Sequence, residues 1–296
     1  MSAIFRPDRP QGFGGRMKLF PKLFACAAMA ALAGCTSAPT SRPSNLPELD
    51  RILQAAHRSP EDRARDPFRH PKETLEFFGL QPDMNVVEVW PGNGWYTEIL
   101  APLLRDRGQL TVAQLDPAGG DYAKRTVDSY RAMLNARPDL YDKVTVTTLA
   151  PPPAKAAIAP AESADLVLTF RNFHNWMMFG WERNAVRAMY DALKPGGVLG
   201  IVEHRGTGEL PQDPRAASGY VNEDYAIQII ESVGFKLVDK SEVNANPNDT
   251  KDYERGVWAL PPSYANGATD RQRYQRIGES DRFTLKFIKP DHAAKR

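Results

Sequence analysis

Four groups of residues in this chain have the types and spacing that binding or catalysis requires. In Glu88-Val-Trp-Pro-Gly-Asn-Gly-Trp a carboxylate closes an apolar run, and Pro91, Gly92 and Gly94 then force a sharp turn. Glycines, lacking a Cβ, let a backbone come close to a ligand. A helical pattern opens at Trp95 and continues through Tyr96 and Thr97, aiming free N–H groups and partial positive charge at whatever sits in the turn. The result is a cradle of the nucleotide type. It holds two of the three glycines of a dinucleotide fingerprint, and Thr97 stands at the third place, which argues against a nicotinamide-dependent oxidoreductase. The second group is Asp116, at the end of the next strand-like run. It falls about 20–30 residues past the turn, where ribose hydroxyls are gripped, although an aspartate before Pro117 also reads as a simple turn residue. The third is Arg171-Asn-Phe-His-Asn-Trp176, rich in hydrogen-bonding and stacking groups. Within it Arg171 and Asn172 are candidate ligand contacts. His174 is a candidate base near neutral pH, or a histidine bonded to backbone. The fourth is the polar pair Glu203-His204 at the end of a later strand. His70, His174 and His204 lie far apart and fit no ligand spacing, so no metal is implied.

These groups need elements to position them. Residues 86–89 read as a short buried strand, 95–104 as a helix, 109–116 as a second strand and 122–136 as a helix. Residues 143–149 alternate like a strand, 151–160 form a Pro/Ala loop, and 165–170 are a fully apolar strand. A helix over 184–193 is expected to stop at Lys194-Pro-Gly-Gly197, before a strand over 198–204. A helix over 224–233 and closing strands over 236–243 and 282–288 follow, separated by a polar, aperiodic loop over 244–279. Upstream, 48–56 and 71–80 are amphipathic helices. The charged, proline-broken stretch 58–71 is either a solvated connector or a lid whose Arg65, Arg69 and His70 close over the cradle. Alternating strands and helices predict one doubly wound α/β sheet, in which ligands bind beyond the carboxyl ends of the strands.

The chain has 296 residues, 42% of them hydrophobic, enough for one large domain, and its net charge of +2 gives no sign of a nucleic-acid partner. The only cysteines are Cys26 and Cys35, so the body has no disulfide framework and no thiolate site. Both fall in a segment with a basic start at Met17, an apolar core and a small-residue end, the layout of a secretory signal. Leu32-Ala-Gly-Cys35 resembles a bacterial lipobox, in which the cysteine is lipidated and becomes the mature N-terminus. The expected organisation is a leader over 1–35, a Ser/Pro/Thr-rich tether over 36–46, a domain over 47–290 and a tail over 291–296. That address implies a lipid-anchored, periplasm-facing protein of the cell envelope. Thr36 after the cysteine resembles lipoproteins of the outer membrane.

Glu88-Val-Trp-Pro-Gly-Asn-Gly-Trp, Asp116, Leu193-Lys-Pro-Gly-Gly-Val-Leu and the later Gly-Phe together resemble class I S-adenosylmethionine-dependent methyltransferases. Arg69-His-Pro-Lys-Glu-Thr-Leu and Arg171-Asn-Phe-His-Asn-Trp are similar to a bacterial subgroup of predicted methyltransferases. The resemblance implies a Rossmann-like seven-stranded sheet of order 3-2-1-4-5-7-6 with strand seven antiparallel. It implies S-adenosylmethionine as cofactor and a small-molecule acceptor. Glu88, Pro91, Gly92, Gly94, Trp95, Tyr96 and Thr97 would hold the methionine end and shape the turn, Asp116 the ribose, and Arg171 and Asn172 the region near the sulfonium. Trp95, Tyr96, Phe173 and Trp176 would wall a dry pocket, with His174 as base. Two departures stand out: Trp90 replaces the first glycine, and no acid follows strand three, leaving Thr147, Thr148 or backbone groups to meet the adenine. A non-catalytic binding protein that has kept the fold is the alternative.

Overall fold

The computed structural model describes residues 46–154 and 157–291. The leader, the lipidation cysteine Cys35 and the tether up to residue 45 lie outside them. The elements run α1 (Pro47–Leu53), α2 (Pro60–Arg63), α3 (Asp66–Arg69), α4 (Pro71–Phe78), β1 (Asn85–Val89), α5 (Thr97–Leu104) and β2 (Gln109–Gln114). They continue with α6 (Asp121–Ala136), α7 (Pro138–Tyr141), β3 (Thr145–Thr148), β4 (Ala164–Phe170), α8 (Phe173–Met178), α9 (Glu182–Ala192) and β5 (Leu193–His204). The chain ends with α10 (Glu223–Val233), β6 (Lys236–Ser241), α11 (Arg271–Ile277) and β7 (Arg282–Ile288). The sheet order is β3-β2-β1-β4-β5-β7-β6, parallel except for β7, which is antiparallel to both neighbours. This is the α/β topology expected of the sequence. Among the described residues no helix is long and apolar enough to cross a membrane.

The strands are apolar on both faces because helices cover both. Val86, Leu110, Val112, Leu166 and Leu168 pack with Leu49, Leu75, Phe78, Ile99 and Leu100, in the layer of α1, α4 and α5. Their neighbours in the pleat, Val87, Val89, Ala113 and Val167, face the opposite way and pack with Trp176, Val186, Met189 and Ile230 of α8, α9 and α10. That two-residue alternation fixes the register, since a slip of one residue would exchange the faces. Each such Leu, Ile or Val contributes about 1.5–3 kcal/mol by leaving water. On β5, Gly200 is small because Phe78 lies on it: a Cβ there would sit 2.7 Å from the ring.

Three expectations need correction. Lys194-Pro-Gly-Gly197 does not cap α9 but opens β5. Lys194 Nζ pairs with Asp165 at 2.6 Å, and the Gly196 amide donates to Lys289 O (2.8 Å), so the sheet annexes the tetrapeptide. Helix α5 begins at Thr97 rather than Trp95, leaving Trp95 and Tyr96 in the turn, where their rings are held by other elements. The 244–279 stretch is not a plain loop. It contains a 3-10 turn (Gly256–Ala259) and α11, gathered around a small core of Tyr253, Ala259, Leu260 and Tyr274. Aperiodic sequence hid it, because its core residues are spaced by turns rather than by a helix or strand repeat.

Candidate functional site

A cavity of about 350 Å³ lies beyond the carboxyl ends of β1, β4 and β5. Of the residues expected to bind or react, Glu88, Pro91, Gly92, Trp95, Tyr96, Arg171, Asn172 and His174 line it. Gly94, Thr97 and Asp116 do not. The reasons are local. Gly92 (φ +62°) faces open space, with nothing within 4 Å of a Cβ placed there. Gly94 (φ +94°) instead supports packing: a Cβ there would lie 2.3 Å from Met133 and 3.1 Å from the Tyr130 ring on α6. Thr97 turns its hydroxyl behind the turn, donating to Glu88 Oε2 at 2.5 Å with Tyr130 Oη 3.3 Å away. Asp116 accepts at Oδ1 from the Ala118 amide at 2.9 Å, capping its own 3-10 turn, and does not line the cavity. A residue that pattern reading passed over, Gln114, instead holds the turn, its side-chain amide donating to Gly92 O at 3.1 Å.

Glu88 is buried, and burial pushes its carboxyl up to about 8, against the opposing Thr97 hydrogen bond. Asn172 is a buttress: its amide donates to the Val89 and Trp90 carbonyls, both at 3.1 Å, pinning the start of the turn. Tyr96 stacks on Phe170 with centroids 3.6 Å apart and planes 10° from parallel. Trp95 donates its indole N–H to Asp62 O at 3.1 Å, and Arg58 and Arg69 lie over its ring. Phe173 and Trp176, expected on the pocket wall, are core residues with no exposure.

Trp90 has φ +50°, a left-handed conformation that costs a non-glycine residue about 1–2 kcal/mol. Its ring leaves the turn and wedges toward β3. There its N–H donates to Leu149 O at 3.0 Å, and the rings of Trp176 and Trp181 flank it at 5.7 and 5.5 Å. The floor formed by Glu88, Gly92 and Tyr96 therefore stays open, while the strip beyond β3 is filled. Of the adenine contacts expected there, the Leu149 carbonyl is taken by the indole and the Thr147 hydroxyl donates to Ile158 O at 2.7 Å.

Opposite the turn, α8 and the end of β5 bring His174, Glu203 and His204 together. Glu203, with no exposure, accepts at Oε1 from His174 Nδ1 (3.0 Å) and the His204 amide (2.8 Å), and at Oε2 from the His174 amide (3.2 Å). A carboxylate fed by two backbone N–H groups accepts from the ring as well, so Nδ1 donates and Nε2 is the basic nitrogen of His174. His204 Nδ1 bonds Ser280 Oγ at 2.5 Å. Burial first, then the charges of His174, Arg171 and Arg282, hold the His204 imidazole well below its ordinary range, that is, neutral. Ligand atoms of the three residues lie within 4.8 Å of one another, so His174 and His204, far apart in sequence, meet here in the fold. Glu203 already serves three hydrogen bonds and two arginines face His204, and both features oppose a cation. The trio is better built to hold a base.

The remaining wall comes from segments that the sequence left undivided. Arg65, Arg69, Arg171 and Arg282 all converge on Glu279, at 2.7, 3.0, 3.6 and 3.1 Å. Stretch 58–71 thus places Arg65 and Arg69 on the cavity wall. His70 lines a separate, smaller cavity with Phe68 and Asn246. Glu279, Ser280 and Trp258 went unread because nothing in an aperiodic loop marks which residues turn inward.

No protein-family model matches the chain, and no curated protein sequence matches it. Among solved structures it is similar to a SAM-dependent methyltransferase from Aquifex aeolicus: 15% identity, TM-score 0.51, covering 82% of this chain and 97% of that one. It is also similar to the [4+2]-cyclase SpnF: 18% identity, TM-score 0.53, covering 80% and 86%. The chain has the class I methyltransferase fold. At such identities the likeness speaks to fold alone, and the two names denote different reactions, so the reaction must be argued from the site.

Proposed function

We propose that this methyltransferase-fold chain is an S-adenosylmethionine-dependent methyltransferase acting on a small molecule. The observation that carries the reading is that the open floor of the glycine turn and the His174–Glu203 pair face one cavity. The residues at the turn fit the cofactor's methionine end: Glu88 offers a buried carboxyl and Gly92 an approach free of side chain. When bound, the cofactor supplies an electrophilic methyl group on sulfur. His174 takes the acceptor's proton at Nε2, and Glu203 stabilises the imidazolium that forms and fixes the ring. Arg65 and Arg69, on the covering segment, exclude water from the reacting atoms.

One observation favours a second reading, a non-catalytic binding protein that has kept the fold: the Trp90 indole fills the strip toward β3 and uses the Leu149 carbonyl. Calorimetry of the full chain in detergent with S-adenosylmethionine and S-adenosylhomocysteine tests cofactor binding, and conversion of bound S-adenosylmethionine to S-adenosylhomocysteine separates an enzyme from a non-catalytic binder. Micromolar binding of either supports the enzyme, and binding of neither sinks it. The leader, Cys35 and the tether are proposed to anchor the domain at the periplasmic side of the cell envelope, at the outer membrane. An acylated Cys35 at the mature N-terminus, read by mass spectrometry, is the expected result; an unmodified Cys35 overturns the anchor.

A further inference from the structure

The arginine wall has more positive charge than its own partners account for. Four guanidinium groups share the single Glu279 carboxylate, whose side chain is 6% exposed. Arginine stays charged in proteins, and burial lowers Arg171 only to about 10, with Glu279 opposing the fall. Three other carboxylates in this part of the molecule have partners of their own. Asp66 forms a two-pronged pair with Arg58 at 2.7 Å, Asp281 pairs with Lys251 at 2.8 Å, and Glu203 serves His174 and two amides. Glu88, on the far side of the cavity, has its carboxyl raised to about 8 and carries little charge at neutral pH.

The wall also has an unsatisfied donor. Arg69 has a side chain 3% exposed; its Nε serves Glu279, while its Nη1 is buried without a hydrogen-bond partner. A buried guanidinium donor left unpaired is unfavourable, and Arg69 lines the cavity. Arg69 and Arg65 sit one helical turn apart across α3, so both reach the same space. Guanidinium forks match the paired oxygens of carboxylates and phosphates.

We infer that this cavity takes an anionic substrate, a small molecule whose carboxylate or phosphate docks against Arg65, Arg69 and Arg171 opposite the glycine turn. As the identity of the methyl acceptor this rests on the methyl-transfer reading; as an anion site it does not. His174 lines the same cavity, so a nucleophile on the same molecule could be deprotonated there.

The test is calorimetric titration of the full chain in detergent, at low salt, with inorganic phosphate and with succinate, repeated with the cavity saturated by S-adenosylhomocysteine. At least one of the two anions should bind once per chain. Arg69→Gln and Arg65→Gln should each weaken that binding about tenfold or more. Arg65 is a quarter exposed on its side chain and is the variant least able to disturb folding, should Arg69→Gln fail to fold. The anion should still bind when S-adenosylhomocysteine is present. The proposal is overturned if neither anion binds, if Arg65→Gln leaves the affinity unchanged, or if S-adenosylhomocysteine displaces the anion one for one. The last result would mean that the arginines serve the cofactor's own carboxylate. Should the anion bind through the arginines while S-adenosylhomocysteine does not bind at all, the anion site stands and the methyl-transfer reading falls.

Discussion

The sheet builds one wall of the cavity and the loops build the other, and they are held by different forces. On the sheet side, Glu88, Gly92 and Asn172 follow the ends of β1 and β4, whose register is set by apolar alternation over many residues. Even the polar bonds there, from Asn172 to Val89 O and Trp90 O, only trim a position that packing has chosen. On the loop side, Arg65 and Arg69 from one end of the domain meet Glu279 and Arg282 from the other, more than two hundred residues away. A small core of Tyr253, Ala259, Leu260 and Tyr274 supports that side, and the charges converging on Glu279 tie its two ends together. The first wall is rigid and suits alignment of reacting atoms. The second is held by charge that a ligand would redistribute, which suits recognition.

The strongest way to break this division is at His174, which bridges the two walls. Removing a positioned base costs about 10²–10⁴-fold in turnover. His174→Ala should lose that much in kcat with an acceptor in hand, while cofactor affinity stays within a few-fold. Glu203→Gln should lose less in kcat, since the ring remains and the amide oxygen can still accept from Nδ1. A His174→Ala variant that retains turnover and loses cofactor binding would make the histidine a structural part of the sheet wall.

Next in size is the contrast between the two glycines of the turn, only one of which lines the cavity. Both stood out in the sequence as ligand-approach positions, because Gly-x-Gly after an apolar run signals a tight turn whatever lies behind it. Sequence pattern reports the backbone need, and both glycines do have positive φ. It does not report what occupies the space beside each one. The same gap explains Asp116, whose position after β2 was right and whose carboxylate serves its own turn, and Glu279, which no pattern could single out. The strands themselves and a doubly wound sheet, by contrast, were legible in the apolar runs, while their order was implied by the resemblance to class I methyltransferases and is the order found. Gly94→Val should destabilise the fold by several kcal/mol, since it adds bulk against Met133 and Tyr130 at a left-handed position. Gly92→Ala should cost only about 1–2 kcal/mol of strain, yet weaken ligand binding, because its Cβ projects into the open floor. Thermal melts paired with calorimetry distinguish the two; equal loss of stability in both variants would erase the distinction.

A pH-dependent effect is expected at Glu88, where the sheet wall carries a titrating group. Its carboxyl is raised from 4.5 to about 8 by burial, so the folded protein keeps a proton that the unfolded chain has released. Linkage then makes stability greatest below the unfolded value and erodes it as pH rises through the interval up to about 8. Glu88→Gln, uncharged and of similar shape, should remove that slope: melting temperatures of variant and parent should converge near the acid end and separate as pH approaches 8. Curves that stay parallel would mean that Glu88 is ionised in the fold, compensated by something beyond the Thr97 hydroxyl. The experiment also reaches the site's chemistry. A ligand that brings a positive group to the glycine turn would favour the ionised carboxylate and flatten the parent's slope, whereas an anion held at the arginine wall would leave it as it is. The same titration, run with each ligand, therefore assigns it to one wall or the other.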